Sequence, residues 1–249
     1  MPGDWNFYLC TVNDILASVF LDLELRKAVP DKTRPTLLWV WVKMKTPRGD
    51  GLSDSSEFES LKAIEEKLTE KMAEHLGAVF CGRITTAGRR EFYYYAPRSE
   101  PLAQTVNLAA SGFHGYKFAW GQQADAEWSQ YLNVLYPNEE QLQCISNRNV
   151  LAALEKEGDP LKAPRDIWHW IYFQTAAERE KFLAAATKLN YRVEPNPEGG
   201  PDDFPFGLEI VRFQSIDPFD VDEAVIELFR LAKAHRGDYD GWETQVISQ

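Results

Sequence analysis

IWHWIYFQTAAERE, Ile167 to Glu180, carries two periods back to back. Up to Phe173 the residues alternate: Ile167, His169, Ile171 and Phe173 fall on one side of a strand, and Trp168, Trp170 and Tyr172 on the other. Thr175 and Glu178 then have the spacing of a capping box, and Phe182, Ala186 and Leu189 line one side of a helix that Asn190 can close. A strand over Ile167 to Gln174 therefore feeds a helix.

Outward from this stretch the order continues with a short strand over Tyr191 to Glu194, a loop over Asn196 to Pro205, and a strand over Phe206 to Gln214. Asp217 and Pro218 suit a helix start, Val221, Val225, Leu228 and Ala232 give it an apolar side, and Gly237 is the expected stop. YDGWETQVIS, from Tyr239, reads as a turn at Asp240-Gly241 feeding a last strand. The order β-α-β-β-α-β is the ferredoxin-like split βαβ plan, with helices on one face of an antiparallel sheet. The aromatics Trp168, Trp170 and Tyr172 then stand on the face without helices, with Arg192 or Glu194 beside them. Large exposed aromatics mark contact sites, either with the rest of the chain or with a partner.

Upstream, a strand is expected over Ala17 to Leu25 and a central one over Leu37 to Met44. Phe58, Leu61, Ile64, Leu68, Met72 and Leu76 recur at helical spacing, with a Ser56/Glu59 capping box and Gly77 at the end. VFCGRI, TTAGRR and EFYYYAP form a hairpin; Tyr116 to Trp120 reads as a strand and Trp128 to Leu135 as a helix. The polar stretch Asn138 to Gln143 is the expected boundary, followed by a helix over Arg148 to Glu157 that stops at Gly158-Asp159-Pro160. The fold class is α+β in two domains, residues 1–137 and 138–249.

Composition narrows the chemistry. The 249 residues carry a formal charge of −11, and from Asn196 onward 12 acidic residues face 4 basic ones. Such a surface repels phosphate backbones and anionic lipid and favours a basic protein partner, so direct nucleic-acid binding is not expected. Cys10, Cys81 and Cys144 are isolated and read as reduced thiols; no leader or membrane-spanning run is visible, which makes the cytoplasm the expected location. His75, His114, His169 and His235 lack paired ligand spacing, the glycines of CGRITTAGRR lack a phosphate-loop lysine, and Asp217, Asp220, Asp222 and Glu223 suit a helix start better than a divalent ion. No cofactor is implied. The enzyme alternative is a small-molecule hydrolase using His169 with carboxylates in a cleft between the domains; binding of RNA through the open sheet face is a third reading.

RNVLAALEKEGDP, RDIWHWIYF, LNYRVE and YDGWET together resemble the regulator of ribonuclease E activity B family over about Asn147 to Ile247. The resemblance implies a ferredoxin-like fold and a non-catalytic inhibitor that docks on an endoribonuclease, ribonuclease E being the implied partner. Such regulators tend to carry an acidic tail after YDGW, for which the acidic segment from Asp217 to Glu223 is the expected partial stand-in here. WNFY, the glycine and leucine after Asp50, and GRITTAGRREFYYYA make residues Trp5 to Tyr136 similar to the domain of unknown function 695, which has no assigned activity. The contact residues expected from this reading are Trp168, Trp170, Tyr172, Tyr239, Asp240 and Trp242.

Overall fold

The computed structural model describes residues 3–194, 200–201 and 203–247. The chain divides into two compact units, Met1–Pro137 and Asn138–Gln249.

In the first unit, alternating apolar residues build β1 (Trp5–Val12), β2 (Ile15–Asp22) and β3 (Thr36–Lys43). The helical apolar stripe forms α1 (Phe58–Leu76), after which come β4 (Val79–Thr86), β5 (Arg89–Ala96), α2 (Leu102–Ala110) and β6 (Lys117–Ala124). The six strands make one antiparallel sheet in the order β1-β2-β4-β5-β3-β6. Ala87 and Gly88 both have positive φ, the geometry of a tight turn between β4 and β5 that follows the strands' twist.

Leu38, Val40 and Val42 of β3, with Phe92 and Tyr94 of β5, pack in one cluster with Leu61, Ile64, Leu68 and Met72 of α1 and Val106 of α2. Part of the other face is covered by the segment after β6. There Trp128 stacks on Tyr95 at 3.8 Å between ring centroids, and the Tyr131 hydroxyl donates to the Asp22 carbonyl at 2.7 Å.

Several local expectations shift. The strand placed at Ala17 to Leu25 stops at Asp22, whose carboxylate caps a short 3-10 turn, Leu23–Lys27. Ser56 does not cap α1. Asp54 caps a preceding 3-10 turn by accepting from the Ser56 amide at 2.9 Å, while the Glu57 carboxylate turns inward to accept from the Lys45 and Thr46 amides. The helix expected at Trp128 to Leu135 is a single π-helical turn, Gln130–Leu135. Strand β1 and helix α2 had no counterpart among the expected elements.

The second unit begins where a linker was expected. Asn138 is an N-cap forming a full capping box with Gln141, so Asn138 to Gln143 opens a long helix, α3 (Glu139–Lys156). Next come β7 (Arg165–Phe173), α4 (Ala176–Lys188), β8 (Arg192–Val193), β9 (Phe206–Gln214), α5 (Pro218–Ala234) and β10 (Gly237–Thr244). Thr175 and Glu178 make the capping box foreseen for α4, and Asp217 caps α5. Arg236, at positive φ, turns the chain out of α5, so Gly237 is already the first residue of β10. Half of the loop from Asn196 to Pro205 lies outside the described residues.

All pairings in this sheet are antiparallel and the order is β10-β7-β9-β8. Two strand-helix-strand halves interleaved in this way give the split βαβ arrangement, so the unit has the ferredoxin-like α+β fold, extended by α3. The α4 and α5 side chains Phe182, Ala186, Val221, Val225 and Leu228 share one core with Ile167, Ile171 and Phe173 of β7, and Leu151 and Leu154 of α3 join it. No helix of the described residues is long and apolar enough to cross a membrane.

Candidate functional site

The two faces of β7 differ as alternation requires. Ile167, His169, Ile171 and Phe173 are fully buried toward the helices, whereas Trp168, Trp170 and Tyr172 are half-buried on the opposite face. Register brings the neighbours of these aromatics into view. On β10, Glu243 lies opposite Trp168 and Asp238 opposite Tyr172, both exposed. On β9, Glu209 lies opposite Trp170, and the buried Val211 opposite Trp168. Arg192 of β8 donates to Asp166, the next residue on this face of β7, at 3.2 Å. A row of aromatic rings thus runs between Asp238 and Glu243 on one side and Glu209 on the other. Tyr172 is partly roofed by its own chain, because a Cβ on Gly200 would fall 2.5 Å from the ring.

YDGW takes a different form from the expected turn. Within β10 the register shifts between Tyr239 and Gly241: Tyr239 faces Ile171, Gly241 faces Trp170 and Trp242 faces His169. Asp240 is the extra residue of a β-bulge inside the strand. Gly241 has φ +150°, a conformation that side-chain-bearing residues rarely adopt. The bulge puts Tyr239 and Trp242, which alternation would send to opposite faces, both on the core side, 5% and 8% exposed. Of the expected contact set, Tyr239 and Trp242 therefore serve the core, Asp240 is exposed at the bulge, and the three β7 aromatics lie on the other face.

Both core residues are held by polar partners. The Tyr239 hydroxyl and His169 Nδ1 are 2.8 Å apart. Trp242 Nε1 donates to Asn147 Oδ1 of α3 at 2.8 Å, and Asn147 Nδ2 donates to Asp222 Oδ1 of α5 at 2.8 Å. The last strand, α3 and α5 are joined through one buried amide. Burial, with the Asp222 carboxylate second, pushes the nearby Cys144 thiol up to about 11, so it is a poor nucleophile at neutral pH.

A second buried anchor follows α3. Asp159 and Arg165 form a two-pronged ion pair, 2% and 5% exposed; Asp159 Oδ2 also accepts from the Ile247 amide at 2.8 Å, and Arg165 donates to the Gln245 carbonyl at 3.0 Å. These bonds, the Arg165 guanidinium first, hold the Asp159 carboxyl well below the usual range. The helix stop seen in Gly158-Asp159-Pro160 is thus also a clamp on the chain beyond β10. Asn147, Asp159 and Arg165 were not singled out beforehand; a polar residue between apolar helix positions was the available signal for Asn147.

The hydrolase alternative meets a geometric obstacle at His169. The ring is fully buried, its edge-on neighbour is Tyr191 at 5.6 Å, and desolvation, with Arg212 second, lowers its pKa to about 3. It is neutral at physiological pH and has no exposed surface to offer a substrate. Among the described residues no three His, Cys, Asp or Glu side chains are grouped as around a metal ion. A groove of about 1290 Å³ in this unit runs between α4 and α5 past Leu189, Phe219 and Leu231, away from the β7 aromatics.

Comparison with known proteins follows the division of the chain. Residues 3–136 match the model described as a family of unknown function, DUF695, and residues 144–244 match the one described as regulator of ribonuclease activity B. No curated protein matches at a significant level. A crystal structure of an unknown protein from Galdieria sulphuraria is 10% identical with a TM-score of 0.23, covering 85% of this chain and 99% of its own. A protein described as a glycine cleavage system transcriptional repressor is 9% identical with a TM-score of 0.23, covering 84% of this chain and 98% of its own. At those scores neither similarity bears on the fold. The chain belongs to the DUF695 family through residues 3–136, and its residues 144–244 match the regulator of ribonuclease activity B family.

Proposed function

We propose that this protein is a non-catalytic regulator that binds a basic protein partner, an endoribonuclease by family implication, through the open sheet face of its second unit. The observation that carries the reading is the row Trp168, Trp170 and Tyr172 flanked by Glu209, Asp238 and Glu243, with Asp240 exposed at the bulge. Aromatic rings supply contact area with little rotamer freedom to lose, and surrounding carboxylates steer a cationic surface onto them. Tyr239 and Trp242 shape that face from beneath by fixing the bulge. The match to regulators of ribonuclease activity supports the choice of partner class. A location in the cytoplasm, where RNA decay takes place, goes with this reading.

The test is retention of proteins from the native lysate on immobilised full-length chain, at low and high salt, with Trp170→Ala alongside. Recovery of a ribonuclease that both salt and the substitution release supports the reading, and a cleavage assay with that purified ribonuclease should then slow on adding wild-type protein only. Retention unaffected by Trp170→Ala overturns it. Release of the retained material by nuclease treatment would point to RNA on the same face instead.

A further inference from the structure

We propose that the first unit binds a neutral pyranose sugar on the sheet face opposite α1 and α2, with the indole of Trp39 as its platform. Trp39 lies on β3, between Tyr93 of β5 and Gly121 of β6. A Cβ added to Gly121 would fall 2.2 Å from Cζ2 and 2.6 Å from Cε2 of Trp39. The six-membered ring of the indole therefore occupies the space where a side chain at position 121 would stand, and glycine is what lets it lie there. Trp41, two residues on, shares the same face about 7 Å away.

A pocket of about 380 Å³ opens over this floor, at the lower end of the size range of small-molecule sites. Its rim decides the ligand class. Glu91 accepts from Arg89 Nε on one oxygen and from the Tyr93 hydroxyl on the other, so the guanidinium charge is neutralised in place. Among the described residues lining the pocket no uncompensated cation remains to hold a phosphate or carboxylate. The remaining rim groups are the amides of Gln123 and Gln130, each both donor and acceptor, as sugar hydroxyls are. Gln130 is set in place by the π-helical turn, its backbone N–H donating at 3.0 Å to Asp125, which also accepts from the Tyr95 hydroxyl and the Ser129 backbone N–H. A flat aromatic below, amides and a neutral ion pair around: this matches a ring with one C–H face and a belt of hydroxyls.

The experiment is saturation-transfer difference NMR on the full chain with glucose, galactose, mannose and N-acetylglucosamine, and adenosine as comparator. Transfer to the ring C–H protons of at least one sugar is expected, abolished by Trp39→Ala. Gln123 is exposed, so Gln123→Ala leaves the fold intact, and it should weaken binding about fivefold by removing one hydrogen-bonding group. No transfer from any of the four sugars, transfer that survives Trp39→Ala, or transfer to the adenine protons in preference to all sugars would each overturn the assignment.

Discussion

Tyr239 and Trp242, three residues apart on one strand, point to the same side of their sheet because Asp240 is extruded between them. The bulge depends on the +150° φ of Gly241, where a side chain is strained even though nothing lies within 4 Å of its would-be Cβ. Gly241→Ala should therefore destabilise the second unit by about 1–3 kcal/mol through backbone strain alone. Deleting Asp240 should cost less than a loss of Trp242 from the core, since Trp242 then follows Tyr239 by two positions and regular alternation keeps it facing Asn147. Urea unfolding followed by tryptophan fluorescence measures both. A neutral Gly241→Ala would mean that the bulge is set by packing and not by the glycine.

The buried His169 predicts a particular pH profile. Its folded pKa, about 3, lies below the ordinary histidine value of 6.5, so the neutral form is the one the fold keeps. The unfolded chain takes up the proton first as pH falls. Stability is full above about 6.5 and is lost progressively down to about 3, by about 2 kcal/mol between pH 6.5 and 5. Carboxylates change little in that interval, which isolates the histidine. Unfolding curves at pH 7.5, 6.5, 5.5 and 5.0 should show the slope, and His169→Phe should flatten it while lowering stability at every pH. A wild-type profile that is flat over this range would contradict the burial of the ring.

Much of this architecture is legible in the sequence, and the misses around the candidate site share a cause. Strand β7, the α4 capping box and the α5 cap were readable because each rests on local spacing, whether two-residue alternation or a side chain reaching a backbone amide three residues on. What failed depended on pairing between distant segments. Asp240-Gly241 has turn chemistry, and only its register against Trp170 makes it a bulge. Tyr239 and Trp242 read as contact residues around that turn, and Asn147, the partner that buries Trp242, lies 95 positions away. Asp159 resembled an ordinary helix stop until Arg165 and Ile247 were brought to it. The row Trp168, Trp170 and Tyr172 was assigned to the helix-free face from alternation alone, and its carboxylate neighbours needed the sheet order.

Asp159 and Arg165 should behave as a mutually dependent pair. Asp159→Ala strands a guanidinium in a site where it is 5% exposed and frees the Ile247 amide, which should cost about 3–5 kcal/mol. Replacing both by apolar residues, Asp159→Leu with Arg165→Met, should cost markedly less than the sum of the single changes, because no unpaired charge stays behind. A double-mutant cycle by chemical denaturation checks the coupling. Additive single and double effects would mean that each residue acts through its backbone partners and not through the ion pair. Below pH 4 the wild type should lose the same contribution, since a carboxyl whose folded pKa is depressed stabilises only while ionised.

The last prediction separates contact from scaffold among the tryptophans of the second unit. Trp242→Ala removes a ring 8% exposed and leaves the Asn147 carbonyl without its donor, so it should cost about 3–5 kcal/mol and weaken partner retention only as far as the unit unfolds. Trp170→Ala lies on the helix-free face opposite Gly241 and Glu209, and should cost about 1 kcal/mol or less while abolishing salt-sensitive retention of a basic partner. Thermal unfolding and partner capture on the same two preparations give the comparison. If Trp170→Ala unfolds the unit as Trp242→Ala does, the β7 aromatics are packing residues and the partner surface lies elsewhere. If it leaves both stability and retention intact, the row is neither, and the acidic residues around it lose their place in the binding argument.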